Sequence, residues 1–243
     1  MAISIRLRDV LPLLAALVLV VLCFALPPIY ADEAEPATAE AETTRVLIID
    51  AGHGGEDGGA TTAEGVPESG INLAIAQKLE ALAGLCGVES VMTRESQEIS
   101  YPESAATTAQ RKQADQRARI ELINAQSDAV LISIHQNFFP TAQPSGCQVL
   151  YGKPEGSREL GELTHRNLTE ALCPTSRRVA APISEDIYLM RSAKCTSILV
   201  ECGFLSNPSE AALLQTEDYQ LKISALLLAS YLQYEAGSDG MVL

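Results

Sequence analysis

Three short apolar runs dominate the chain: RVLIID opening at Arg45, AVLISI from Ala129 to Ile134, and ILV from Ile198 to Val200. None alternates apolar with polar residues as a half-solvated strand does. Apolar runs of this length belong to strands covered on both faces, the usual condition of a parallel sheet. The segments between them change period. After Glu68, residues Ile71, Ile75, Leu79 and Leu82 recur at helical spacing, and Gly84 and Gly87 mark the end. Further helices are predicted over Gln110–Asn124, with Ala114, Ala118, Leu122 and Ile123 on related faces, over Arg158–Leu172, over Glu210–Gln215 and over Asp218–Gln233. Val88–Met92 and Cys147–Tyr151 read as additional short strands, and Glu95–Thr108 and Pro140–Gly146 as loops. Strands alternating with helices predict one α/β domain whose mostly parallel sheet carries helices on both faces. With 47% hydrophobic residues the chain can build such a core.

The first residues follow other rules. Arg6 and Arg8 precede Val10 to Tyr30, which holds no charged residue, and the small Ala31 follows. This is the pattern of an export signal, and its apolar length equally suits an uncleaved N-terminal membrane anchor. Either reading of residues 1–31 puts the remainder outside the cytoplasm. Asp32 to Thr44, DEAEPATAEAETT, lacks bulky side chains and reads as an acidic flexible linker. The domain is then expected over 45–236, with a tail over 237–243.

A formal net charge of -14, with no basic run interleaved with aromatics, excludes nucleic acid as a partner. Contact with a membrane is expected only through the N-terminal segment. The absence of Trp argues against a module that stacks sugars or bases on indole rings. Of six cysteines, Cys23 lies in the apolar leader, leaving five that cannot all pair within one molecule. No CxxC occurs, so a thiolate zinc site is unsupported. The expectation is buried thiols, with room for a disulfide or two.

Polar residues at the ends of the apolar runs carry the chemistry. His53 lies in the loop DAGHGGEDGGA after the first strand, where five glycines from Gly52 to Gly59 permit tight turns. The loop matches neither the dinucleotide fingerprint nor the P-loop. His135 follows AVLISI, and Glu201 closes the strand over 197–200. Strand C-terminal ends line the crevice in open α/β sheets, so these residues can converge. Glu68, at a helix start, either complements the helix dipole or serves as a stiffly mounted oxygen ligand. Two histidines and a carboxylate form the ligand set of a catalytic zinc with an open position for water. A further carboxylate, Glu201, supplies the base that metal-assisted hydrolysis needs. His165, beside Arg166, reads as solvent-facing or structural. The same two histidines and two carboxylates would serve a zinc peptidase or deacetylase of the cell wall. A metal kept for stability would suit a non-catalytic module that binds peptidoglycan or a partner protein.

In order, DAGHGGEDGGA, GVPESGINLAIAQKL, Thr93-Arg94, LISIHQN and SILVECGFLSN resemble the zinc-dependent N-acetylmuramoyl-L-alanine amidases of the third amidase class, from about residue 45 to about 234. The resemblance implies one zinc ion per chain held by His53, Glu68 and His135, with Glu201 as the catalytic carboxylate. It implies a twisted sheet of about six strands, one of them near Ile187–Met190, and peptidoglycan as substrate. Chain size, a single N-terminal apolar segment and no wall-binding repeat are similar to the germination-specific branch found in spore formers. That likeness implies spore-cortex maturation in the forespore intermembrane space, with an accessory or activating protein as a further partner. Two departures are Cys195-Thr196, where many relatives carry Pro before the last strand, and the long polar loop over 95–110. Arg94 is expected either to orient the helix or the groove or to pair with a neighbouring carboxylate, and Asn137 either to hydrogen-bond near the metal or to cap a turn.

Overall fold

A computed structural model describes residues 45–239 of the chain. The leader over 1–31, the linker over 32–44 and the last residues of the tail lie outside the described residues. Among the described residues no helix is long and apolar enough to cross a membrane.

Strand β1 (Val46–Ala51) runs into the Gly-rich loop, and helix α1 (Glu68–Leu85) returns to β2 (Ser90–Met92). Helix α2 (Thr108–Ala125) leads to β3 (Ala129–Asn137) and β4 (Gln148–Tyr151). Then come α3 (Ser157–Leu172), β5 (Ala181–Pro182), α4 (Tyr188–Ser192), β6 (Thr196–Phe204), α5 (Pro208–Leu214) and α6 (Glu217–Asp239). The strands form one sheet in the order β2-β1-β3-β6-β4-β5. Every neighbouring pair is parallel except β4–β6.

The unbroken apolar runs are explained by two-sided burial. On one face Leu47, Ile49, Val130, Ile132, Ile198 and Val200 pack under α1, α3 and α6. On the other, Ile48, Leu131 and Leu199 meet Ile123 of α2 and Leu189 and Met190 of α4. Each fully buried Leu or Ile contributes about 1.5–3 kcal/mol, so the larger first cluster carries most of the stability. Along the second face the next residues are polar: Asp50 and Ser133 are register partners, as are His135 and Glu201. The strand alternation that buries Leu131 and Leu199 therefore also aims the functional side chains.

Helix ends are set locally. A capping box of Thr107 and Gln110 starts α2. Gly87, at φ 73°, takes the left-handed backbone just beyond the Cys86 cap of α1.

The structure corrects several expectations. The sixth strand is Ala181–Pro182; Ile187–Met190 instead enters α4, whose Leu189 and Met190 are drawn into the second core cluster. Strands β3 and β6 run beyond their apolar cores, so His135 and Glu201 lie within strands. Main-chain pairing continues there regardless of side-chain polarity. On α2 the buried residues are Arg119 and Ile123, whereas Ala118 is exposed, because the helix covers a polar layer. The last helix runs to Asp239, into the stretch expected as tail. Cys86 is exposed; the other described cysteines are buried or half-buried, and all five are unbonded thiols.

Candidate metal centre

His53 is placed by a strained turn. It has φ 60°, in the left-handed region that a residue with a Cβ rarely adopts. Paired main-chain hydrogen bonds between Gly54 and Asp57 close the turn, and the Arg119 guanidinium donates to the His53 carbonyl at 2.6 Å. These contacts hold the strain in place. Asp57 Oδ2 stands 2.9 Å from His53 Nδ1 and 2.8 Å from Lys112 Nζ. Its carboxyl is held well below the usual range, first by the His53 hydrogen bond and then, against burial, by Lys112. A carboxylate accepting from Nδ1–H leaves Nε2 with its lone pair free, the arrangement that orients a metal-binding imidazole. Nε2 lies 3.4 Å from Glu68 Oε2.

Glu68 is the first residue of α1 and is buried. The Ala60 N–H donates to its Oε2 at 2.9 Å and the Gln136 N–H to its Oε1 at 2.9 Å. Asn72 Nδ2 also donates to Oε1, at 3.2 Å. Burial pushes this carboxyl up, but His135, His53 and the Gln136 N–H outweigh it and bring the pKa to about 2. The group is a fixed anion.

His135 Nδ1 sits 3.0 Å from Glu68 Oε1, and its ring meets that of His53 edge-on at 4.9 Å. The other side of the ring lies against Gly52, where an added Cβ would come within 2.3 Å of it. Only glycine fits there. Nitrogen and oxygen donors of His53, Glu68 and His135 all lie within 4.8 Å of one another.

Glu201 stands in register beside His135 and lines the same cavity of about 360 Å³, with Asp57, Lys112, Arg119 and the segment Asp186–Leu189. Its Oε2 is enclosed and has no hydrogen-bond partner. Burial raises its carboxyl to about 7, helped by Glu68 and opposed by His135 and His53. An unsatisfied carboxylate oxygen beside three converging donors fits a divalent cation with an open position facing Glu201.

A polar layer supports the site. Asp50 accepts from Arg119 (2.8 Å), Ser133 (2.6 Å) and Thr93 (2.7 Å). Arg119 also pairs with Asp115 at 3.0 Å and donates to the Ala51 carbonyl at 2.7 Å. Among the described residues Arg94 makes no carboxylate pair, and of its two expected roles the orienting one fits its contacts. Its guanidinium donates to the carbonyls of Ala51, Gly52, Ser69 and Ser96, tying the β1 exit to the α1 start. His165 is buried, not solvent-facing, with Nε2 2.8 Å from the Arg178 carbonyl. Asn137 ends β3 beyond a register shift, and its carbonyl accepts from the Leu205 N–H.

All four sequence-predicted residues thus come together. Asp57, Lys112, Asp50, Arg119 and the 186–189 wall were missed. The only available signals were spacings of four, between His53 and Asp57 and between Asp115 and Arg119. Neither spacing tells an orienting carboxylate or a buried ion pair from a solvated one.

A doubly covered α/β sheet with His, His and Glu converging beside a fourth, unpaired carboxylate has the donor set that metal-site hydrolases use. Residues 47–230 match the family model described as N-acetylmuramoyl-L-alanine amidase, and the chain belongs to that family. It is 35% identical over 191 residues to the germination-specific N-acetylmuramoyl-L-alanine amidase of Bacillus subtilis, covering 78% of this chain and 79% of that protein. The CwlD amidase of Clostridioides difficile, solved in complex with the GerS lipoprotein, superposes with a TM-score of 0.75 at 35% identity, over 79% of this chain and 98% of that one. An N-acetylmuramoyl-L-alanine amidase from Clostridium difficile 630 gives 0.67 at 26% identity, over 79% and 97%.

Proposed function

We propose that this chain hydrolyses the amide between the lactyl group of N-acetylmuramic acid and L-alanine in peptidoglycan. The observation that carries this reading is the convergence of His53, Glu68 and His135 in a cavity that Glu201, with its Oε2 buried and unpartnered, also lines. The three converging residues would hold one zinc ion. Bound there, zinc supplies a Lewis acid for the scissile carbonyl and for water. Glu201 takes the proton of the attacking water and returns one to the departing amine, the work of a carboxyl whose pKa lies near neutrality. Asp57 fixes the His53 ring and Arg119 its backbone, while Arg94 and Asp50 hold the floor of the site in one arrangement.

The setting proposed is spore-cortex maturation outside the cytoplasm, in the forespore intermembrane space. Residues 1–31 act as signal or anchor, 32–44 as linker and 45–236 as the catalytic domain. The germination-specific name of the Bacillus subtilis relative supports the setting. The lipoprotein complex of the Clostridioides difficile relative supports an accessory protein partner.

Digestion of purified peptidoglycan by the full chain, with and without a chelator, followed by mass analysis, tests this reading. Chelator-sensitive release of peptides bearing a free N-terminal L-alanine is expected. Loss of acetyl groups alone would make it a deacetylase, cleavage within the stem peptide a peptidase, and binding without turnover a non-catalytic module.

A further inference from the structure

Away from the metal centre, on the opposite face of the sheet, two cysteines meet. Cys147, just before β4, is buried in the first core cluster, and Cys173, which caps the C-terminus of α3, is half-buried against it. Their sulfurs lie 3.3 Å apart, although the residues are 26 positions apart in sequence.

The contacts that bring the two segments together do not involve the thiols. Arg178 Nη1 donates to Gln148 Oε1 at 2.9 Å, and its Nε to the Ser145 carbonyl at 3.3 Å. The Arg178 carbonyl meets His165 Nε2 at 2.8 Å, which returns the segment to α3. Gly146, at φ 89°, brings its backbone against Ser176 and Cys173, where a Cβ would lie 3.1 Å from Ser176 Oγ. Glu210 clamps the Gly146 N–H from α5 at 2.6 Å. His165 and Arg178, which the catalytic machinery does not use, thereby acquire a role as the frame of this pair.

We propose that Cys147 and Cys173 are a disulfide-forming pair, oxidised in the exported protein by a low-molecular-weight or protein disulfide. The sulfurs need to close by about 1.3 Å to reach bonding distance. Cys173 is the accessible partner, and its thiol is drawn down to about 7, first by the hydrogen bond from Cys147. Its thiolate attacks one sulfur of the oxidant, forming a mixed disulfide and releasing one thiolate. Cys147 then gives its proton to water and attacks Cys173 Sγ, expelling the second thiolate. Two thiols become one disulfide, and the oxidant takes up the two electrons and two protons. The bond would staple the C-terminus of α3 to the strand whose Gln148 is the register partner of Glu201. Cys202, also buried, acts electrostatically on Cys147 and is the competing partner.

The full chain, exported by a bacterial host, is quenched in acid, alkylated and digested without reduction. Mass analysis is expected to find one peptide pair joining Cys147 to Cys173, which separates on reduction. Reduction should also lower the melting temperature by about 5–10 °C, and the double variant Cys147→Ser/Cys173→Ser should show no such shift. Alkylation of both sulfurs, or a link from Cys147 to Cys202, would overturn the proposal. If the variant does not fold, the wild-type chain is titrated with oxidised and reduced glutathione. A single two-electron transition at this pair supports the proposal, and thiols that persist in fully oxidised buffer refute it.

Discussion

His135 and Glu201 are register partners on the parallel strands β3 and β6, so main-chain hydrogen bonding sets the separation of the imidazole of the candidate metal centre from the carboxylate beside it. Exchange of Glu201 for its amide should leave that geometry and the three donors intact. Glu201→Gln is expected to bind zinc at one equivalent per chain while amide cleavage falls by about 100- to 10,000-fold. Metal content by atomic emission and turnover on peptidoglycan separate the two effects. Undiminished turnover would remove Glu201 from the mechanism.

Asp57 touches the His53 ring on the side away from the other donors. Asp57→Asn can still approach Nδ1 but loses the charge that favours the proton there. Zinc affinity, measured by competition with a chromogenic chelator, should fall by about 10- to 100-fold. Lys112→Ala, which removes only the outer partner, should cost less.

Arg119 is the keystone of the buried layer, pairing with Asp50 and Asp115 and donating to two carbonyls. Arg119→Met leaves the Asp50 carboxylate buried without its countercharge, a loss of about 3–5 kcal/mol. Urea unfolding of the metal-free protein reads this directly. In Arg119→Met/Asp50→Asn much of the loss should return, because the stranded charge is gone.

Two glycines give opposite expectations. Gly52→Ala would push a methyl group into the His135 ring, so metal binding should collapse even if the fold survives. Gly84, inside α1, has open space where its Cβ would stand. Gly84→Ala should raise stability by about 0.5–1 kcal/mol and leave zinc binding unchanged. Thermal melts and chelator competition on both variants check the contrast.

Acid should unfold the metal-free protein in a defined window. Burial raises the Asp50 carboxyl, but Arg119 and then Ser133 bring it down to about 2, and Glu68 likewise lies at about 2. Carboxyls depressed in the folded state stabilise it fully above their unfolded values, and the contribution is lost as pH falls through the folded ones. The contribution of these two groups should therefore be constant above about pH 5 and drop steeply from about pH 4 to pH 2, each contributing roughly 2–3 kcal/mol, whereas Glu201, raised to about 7, lowers stability as pH rises toward that value. Denaturant midpoints across that range, repeated with Asp50→Asn, test the assignment.

The fold was legible where one physical signal acted alone. Unbroken apolar runs at Val46–Ile49 and Ala129–Ile132 report two-sided burial directly, and the Ile71, Ile75, Leu79 spacing reports a helix lying on that sheet. His53, His135 and Glu201 stood out because polar side chains at or just beyond the ends of buried strands need a reason to be there, whereas Glu68 stood out only as a carboxylate at a helix start. Signals failed where interactions crossed the chain. Nothing near Ala181–Pro182 marks a strand, because two residues beside β4 gain that state only from their neighbour. Arg119 was passed over in the sequence, since its partners Asp50 and the His53 carbonyl lie more than sixty positions away. Arg94 satisfies carbonyls, and no residue pattern encodes main-chain acceptors.

Both oxygens of Glu68 are already claimed by the peptide N–H groups of Ala60 and Gln136, the first in the Gly-rich loop and the second near the end of β3. The carboxylate is therefore seated before any ion arrives, and little entropy remains to be lost when one does. An incoming cation meets a finished socket, so selectivity rests on what that rigid opening will admit.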